Sequence, residues 1–450
     1  MKTDDLPFLR TFFRAVTDQP IEFTGKDEGR YVPLYESPEM APHDPVKLLA
    51  RPIQFALGQS VQLFSGFRGS GKSTELHRLR RHLSDQAQGD YKVVLCDIED
   101  YINLSQSVDI IDFLLAVAGA FGDALQKEGF LPNDPAKEGY WERFAKLLTR
   151  THITLPEMSI TGIKVALKSD PSFRDTLQKR MSGHLGALVE DVRTYVTSCV
   201  KRVKDKHGPN TEVVLLLDSM EHIRGTSTNA TAVQDSVVNL FTSHSDKLHF
   251  EHLHVVYTIP PYLKVLYPNL GTLYSPGGVQ VLPALKVQNN PKVRAESGDV
   301  FLPGIDLLER LISARGEWRR LLGPERATLD RLSLLSGGHL RDFLRLFSEI
   351  IRRADTLPVP TETVDAAIAQ VRTEFLPIAD ADAKWLHLIA TTHGVALPEI
   401  KQLHDLARYL DTHLALYYRN GDEWHDVHPL VRDVVRLQVE ETSRRTAKSP

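Results

Sequence analysis

The run Gly66-Phe67-Arg68-Gly69-Ser70-Gly71-Lys72-Ser73 constrains this 450-residue chain more than any other feature. Its glycines let backbone N–H groups turn inward around anionic oxygens. Ser60 to Ser65 precedes it as a short, mostly apolar strand, and Leu76, Leu79 and Leu83 follow at helical spacing. A loop between a strand and a helix sets the positive end of the helix dipole at the anion. Gly66, Arg68, Gly69, Ser70, Gly71 and Thr74 line such a cradle. Lys72 places a point charge between β- and γ-phosphates, and the Ser73 hydroxyl ligates Mg²⁺. The cofactors expected are therefore ATP or ADP with Mg²⁺.

Further apolar runs supply the rest of a sheet. Val93 to Asp97, Val213 to Asp218, Leu253 to Thr258 and Val279 to Val287 read as buried strands, separated by helical segments. Strands alternating with helices make a parallel sheet covered on both faces. The expected fold class is α/β: a P-loop NTPase core, then a helical lid and a C-terminal winged-helix domain. Residues 1–58, broken by Pro33, Pro38, Pro42, Pro45 and Pro52, read as an irregular cap. The core spans 59–290 with a helical insertion at 108–208. In that insertion Ile110 to Leu125 reads as a helix and Ile163, Val165 and Leu167 alternate like a strand. Leu177 through Val203 reads as one long amphipathic helix. The lid covers 291–375, the winged helix 376–442, and 443–450 reads as a disordered tail. Asn420-Gly421 between two strand-like runs is a hairpin signal.

Four residues outside the loop are candidates for the same chemistry. Asp218 ends a buried strand, where a carboxylate reaches a magnesium ion through water; capping of the next turn is the other use of an acid there. Glu221, three residues on, either orients an attacking water or is a surface acid. Thr258 ends the neighbouring strand, as a γ-phosphate contact or a strand-end cap. Arg341, in Gly337-Gly338-His339-Leu340-Arg341, starts a lid helix, to reach phosphate or to face solvent.

Composition narrows the setting. Cys96 and Cys199 are the only cysteines, both in apolar runs, which excludes a disulfide framework and fits a reducing cytoplasm. The most apolar stretch, Ile110 to Leu125, carries Asp112 and Asp123 and is short for a bilayer, so no membrane span is expected. A net charge of −4 leaves no global basic field for nucleic acid. Across 380–440 ten acids face six bases, again acidic, and the helix around His404 to Asp411 offers only Arg408 with Lys401 nearby. Charge therefore argues against DNA as the ligand of the last unit, despite its shape.

With these pieces placed, the chain resembles the STAND/AAA+ group of signalling ATPases over residues about 58–440. That group includes NB-ARC and NACHT proteins and, more distantly, Orc1/Cdc6-like initiators. Three motifs carry the likeness. Leu215-Leu216-Leu217-Asp218-Ser219-Met220-Glu221 is similar to the family's apolar strand closed by acids. Arg341 resembles a sensor 2 arginine. Val427-His428-Pro429-Leu430 resembles the histidine motif of NB-ARC switches, which implies that His428 contacts the β-phosphate of ADP; closing a small core is the other use of that histidine. Ser219 stands where ordinary AAA+ proteins carry the catalytic acid, and no Gly-x-Pro marks the adenine side of the lid.

The resemblance implies a nucleotide-driven switch that hydrolyses ATP and controls assembly or partner activation, of the type found in bacterial anti-phage systems. Family members carry an effector before and a sensor after this region. Sensing or output here is expected from other protein subunits, with self-association. Alternatives are a loader or motor stimulated by nucleic acid, and a scaffold that holds ATP structurally.

Overall fold

A computed structural model describes residues 4–447, except 18, 37–39, 41–43, 132–138, 154–159, 227, 275–277, 396–401 and 421. The chain divides into two compact units. One comprises Val46–Ser65 and Glu75–Val281; the other comprises Met1–Pro45, Gly66–Thr74 and Leu282–Pro450.

The first unit is built on a five-stranded sheet of β1 (Ser60–Gly66), β2 (Tyr91–Asp97), β3 (Glu212–Asp218), β4 (Leu253–Ile259) and β5 (Val279–Leu282), in the order β2-β3-β4-β1-β5. The pairs β2/β3, β3/β4 and β4/β1 are parallel. The middle strands are buried along their length, which is why they read as unbroken apolar runs. Parallel register brings strand ends side by side: Asp97 is opposite Asp218, and Phe64 is opposite Thr258.

The insertion is helical. Asp109 accepts the Ile111 N–H at 2.8 Å and so starts the helix Ile110–Lys127. This helix packs on β2 and on Leu185–His207. Its Asp112 accepts from Arg174 Nε at 3.1 Å and from Gln178 Nε2 at 2.6 Å, all inside the unit. Among the described residues no helix is long and apolar enough to cross a membrane.

Several local readings need correction. Residues 1–58 are not merely irregular: they hold the helices Asp5–Ala15 and Pro45–Phe55. Leu9, Phe12 and Ala15 bury one face of the former. Val46, Leu49, Ala50 and Ile53 are buried in the latter, and their burial outweighs the helix bond lost at Pro52. Pro38 and Pro42 lie outside the described residues. Ile163, Val165 and Leu167 lie in the helix Ile160–Ser169, not a strand; Ile163, Ala166 and Leu167 are buried at helical spacing while Val165 is exposed. The long helix read over 177–203 is two, Pro171–Met181 and Leu185–His207, parted by a 3₁₀ turn at Ser182–His184. Its middle residue is Gly183, a poor helix former. The fifth strand stops at Leu282, since Pro283 has no N–H for the ladder. The expected disordered tail is helical through Ala447, with Glu440–Arg444 and Glu441–Arg445 pairs one turn apart.

The second unit carries the helices Leu302–Ser313, Ala327–Leu335, Leu340–Arg352 and Thr361–Arg372, on whose buried faces lie Leu308, Phe343 and Phe347. The helix Asp5–Ala15 packs against Leu340–Arg352, its Phe12 ring centroid 6.2 Å from that of Phe347. Next come Asp380–Thr392 and Leu403–Asp411, then an antiparallel pair, β6 (Ala415–Asn420) with β7 (Asp422–Val427). Gly421 lies outside the described residues, but the flanking strands pair from Ala415↔Val427 to Asn420↔Asp422. The helix Pro429–Ala447 closes the unit against Asp380–Thr392. Two helices followed by a hairpin is the order on which the winged-helix reading rests.

Candidate functional site

The phosphate loop belongs to the second unit. Gly66, Gly69 and Gly71 have φ of 154°, 85° and 96°, and Ser70 N–H donates to Phe67 O at 3.1 Å, closing a tight turn. The helix Lys72–Ser84 follows at once. Lys72 is buried, and its ammonium donates to Gly66 O at 2.8 Å and Phe67 O at 2.7 Å, so the charge is held inside the curl of the loop. Ser70 Oγ is buried with no hydrogen-bond partner among the described residues. Ser73 is half-buried at the start of the helix. The Thr74 hydroxyl accepts the Ile21 N–H at 3.1 Å and so fastens the N-terminal segment to the loop. A positive-φ glycine turn, a buried ammonium and an unsatisfied buried hydroxyl suit a polyphosphate with its magnesium ion.

The lid helix Leu340–Arg352 starts on this loop. Arg341 N–H donates to Gly69 O at 3.2 Å, and His339 Nε2 lies 2.8 Å from Arg68 O. A Cβ on Gly69 would stand 2.5 Å from Arg341 Cβ, so only glycine admits the helix this close. The approach is set from behind by Gly338: a Cβ there would stand 1.7 Å from Leu285 O. Phe67 is buried, edge-on to the rings of His339 and His413 at 6.2 Å each. Arg341, expected from its place in the sequence, is thus brought to the loop.

His428 is fully buried. Its Nδ1 accepts the Leu430 N–H at 3.3 Å, its Nε2 lies 3.3 Å from Asp342 Oδ2, and its ring packs on Phe375. Its neighbours are therefore the lid helix and the closing helix. Burial pushes the His428 imidazole below its ordinary value, and pushes His413 well below it. Burial alone would raise the Asp342 carboxyl; the His339 and His428 imidazoles override this and hold it well below the carboxylate range.

In the first unit, Asp218 closes β3 and accepts the N–H of Ser219, a residue in the left-handed region at φ 70°. Thr258 Oγ1 accepts the Met220 N–H at 3.0 Å and so holds the turn that carries buried Glu221. An accepted bond leaves the hydroxyl its proton to donate. The register brings Asp218 and Thr258 to the same edge of the sheet.

Asp97 lies opposite Asp218, and burial raises its carboxyl. Its signal was available: Val93 to Asp97 has the same apolar-strand-then-acid pattern as Val213 to Asp218. His339, Asp342 and His413 had no such signal, because they meet only through tertiary folding.

No family model matches the chain, and no curated protein matches it. Among solved structures it is similar to the ORC2 protein of Aeropyrum pernix in its ADPNP–ADP complexes, with a TM-score of 0.39, 14% identity, and 92% of this chain and 97% of that one covered. It is also similar to a Walker-type ATPase of Pyrococcus abyssi, at a TM-score of 0.38 and 12% identity, covering 94% and 99%. Cdc6p of Pyrobaculum aerophilum comes next at 0.37 and 13%, covering 92% and 98%. Scores and identities this low say nothing about function, which has to be read from the chain's own residues.

Proposed function

We propose that the chain binds ATP with Mg²⁺ and that exchange between ATP and ADP changes how the lid helix docks on the phosphate loop. The observation that carries this is the pair of lid contacts to loop carbonyls, Arg341 N–H to Gly69 O and His339 Nε2 to Arg68 O. A peptide unit is planar and its C=O and N–H point in opposite directions. The Arg68 carbonyl held by His339 therefore aims the Gly69 N–H away from the lid contact. A phosphate that pulls on that N–H acts on the lid through the same peptide plane, so nucleotide and lid position are linked.

In this reading Lys72 supplies charge between the β- and γ-phosphates and Ser73 is an oxygen ligand of the magnesium ion. Arg341 adds a cation from the lid. Asp218 serves the metal ion through water, Glu221 orients the attacking water, and Thr258 donates its hydroxyl proton to a γ-phosphate oxygen. The bound ion neutralises charge on the phosphates. Further copies of this chain, or partner proteins, read the lid position.

Titration with a fluorescent ATP analogue tests the site. Wild type takes it up in a magnesium-dependent way, and Lys72→Ala weakens it by about 10- to 100-fold, the worth of a charge-assisted contact. A folded wild type that takes up no nucleotide refutes the site. Hydrogen exchange over residues 337–345 tests the switch: equal protection in ADP and in a non-hydrolysable ATP analogue refutes it while leaving binding intact. Turnover raised by duplex DNA would move the reading to a loader or motor.

A further inference from the structure

The chain carries a second candidate site, where His339, Asp342 and His413 each offer one ligand atom, all within 4.8 Å of one another. His339 and Asp342 are fully buried, and the His413 side chain is 16% exposed, so the cluster opens at one corner. The three residues come from different places: His339 precedes the lid helix, Asp342 lies in its first turn, and His413 stands just before β6 with φ of 59°.

His339 turns one ring nitrogen to the phosphate loop and the other to the cluster. Its Nε2 lies 2.8 Å from Arg68 O, and a carbonyl only accepts, so Nε2 carries the hydrogen. In the neutral ring Nδ1 is then a lone pair, and it stands 2.6 Å from Asp342 Oδ2. A single positive charge, a proton or a metal ion, brings a ring nitrogen and a carboxylate oxygen this close. His428 accepts the Leu430 N–H on Nδ1, so its hydrogen is on Nε2, 3.3 Å from Asp342 Oδ2. His428 thus supports the carboxylate from outside. The Arg345 guanidinium lies 3.6 Å from Asp342 Oδ1.

We propose that His339 Nδ1, Asp342 and His413 bind a divalent transition metal of the zinc type, with a water on the open fourth position. Two imidazoles and a carboxylate suit such an ion. Zinc-like distances of about 2.0–2.2 Å call for ligand atoms roughly 3.3 Å apart, so His339 Nδ1 and Asp342 Oδ2 open from 2.6 Å while the His413 ring closes on Asp342 from 3.9 Å. The surrounding bonds are what ligands require: His339 gives its second N–H to the Arg68 carbonyl, and Asp342 is met by His428. The ion would tie the phosphate loop, the lid helix and the approach to β6 together. Nothing in this depends on nucleotide.

The test uses untagged full-length protein, stripped with a chelator and dialysed against Zn(II) or Co(II). About one ion per chain and the visible absorption of low-coordinate Co(II) are expected. Asp342→Asn and His413→Ala abolish the Co(II) bands. His428→Ala retains them with about 10- to 100-fold weaker affinity, and the remote His387→Ala is unchanged. Should the ligand variants not fold, ¹⁵N imidazole spectra of the wild type decide. A metal-bound Nδ1 on His339 supports the site. A doubly protonated His339 ring, or wild type without Co(II) bands, overturns it.

Discussion

Gly69→Ala separates backbone strain from the docking of the lid. The added methyl would stand 2.5 Å from Arg341 Cβ, against about 3.5–4.0 Å for carbon atoms in contact. Arg341 Cβ is fixed to the helix backbone, so rotation of the side chain brings no relief. The lid helix must recede by roughly 1–1.5 Å to restore contact distance. That movement breaks the 3.2 Å bond from Arg341 N–H to Gly69 O and strains the 2.8 Å contact of His339 with Arg68 O. Each is worth about 1 kcal/mol net. Holding alanine at φ 85° adds about 1–2 kcal/mol. The expected loss is about 3–4 kcal/mol, read by urea unfolding. Hydrogen exchange should rise at the start of the lid helix. Gly25→Ala is the control: its φ is 60° with nothing within 4 Å, so only the backbone cost of about 1–2 kcal/mol applies. A Gly69→Ala loss no larger than that of Gly25→Ala would refute lid docking on the loop.

Other expectations rest on the same kinds of bond. Burial pushes the Asp112 carboxyl up to about 6 from its ordinary 3.8. A raised acid contributes stability that is complete below 3.8 and lost as pH rises through about 6, here about 3 kcal/mol. Urea midpoints at pH 4 and pH 7.5 should show this component in wild type and not in Asp112→Asn; identical profiles would refute it. Asp112→Ala leaves Arg174, 4% exposed, without its carboxylate, a loss of about 3–5 kcal/mol in the same unfolding assay. Thr258→Val removes the acceptor of the buried Met220 N–H, costing about 1–3 kcal/mol, and Thr258→Ser should restore both stability and ATP turnover. The excess of acids over bases in 380–440 predicts no gel shift of duplex DNA by the isolated wild-type chain at low salt, and a salt-dependent shift would contradict it.

What the sequence determines alone is local. The phosphate loop is legible because its chemistry needs glycines, a lysine and a hydroxyl at fixed spacing within eight residues. Val213 to Leu217 and Leu253 to Tyr257 are legible as central strands because burial on both faces demands unbroken apolar runs. Short patterns without that redundancy mislead: 163–167 satisfies a strand by alternation and a helix by Ile163, Ala166 and Leu167, and packing chooses the helix. The order β2-β3-β4-β1-β5 is decided by tertiary structure, since each strand pairs through backbone groups that every residue carries. That order sets Asp97 beside Asp218 and Thr258 at the same edge. The meeting of His339, Asp342, His413 and His428 is decided there too. Periodicity reports which face of an element is apolar, and it holds no record of which distant polar side chains share one buried point.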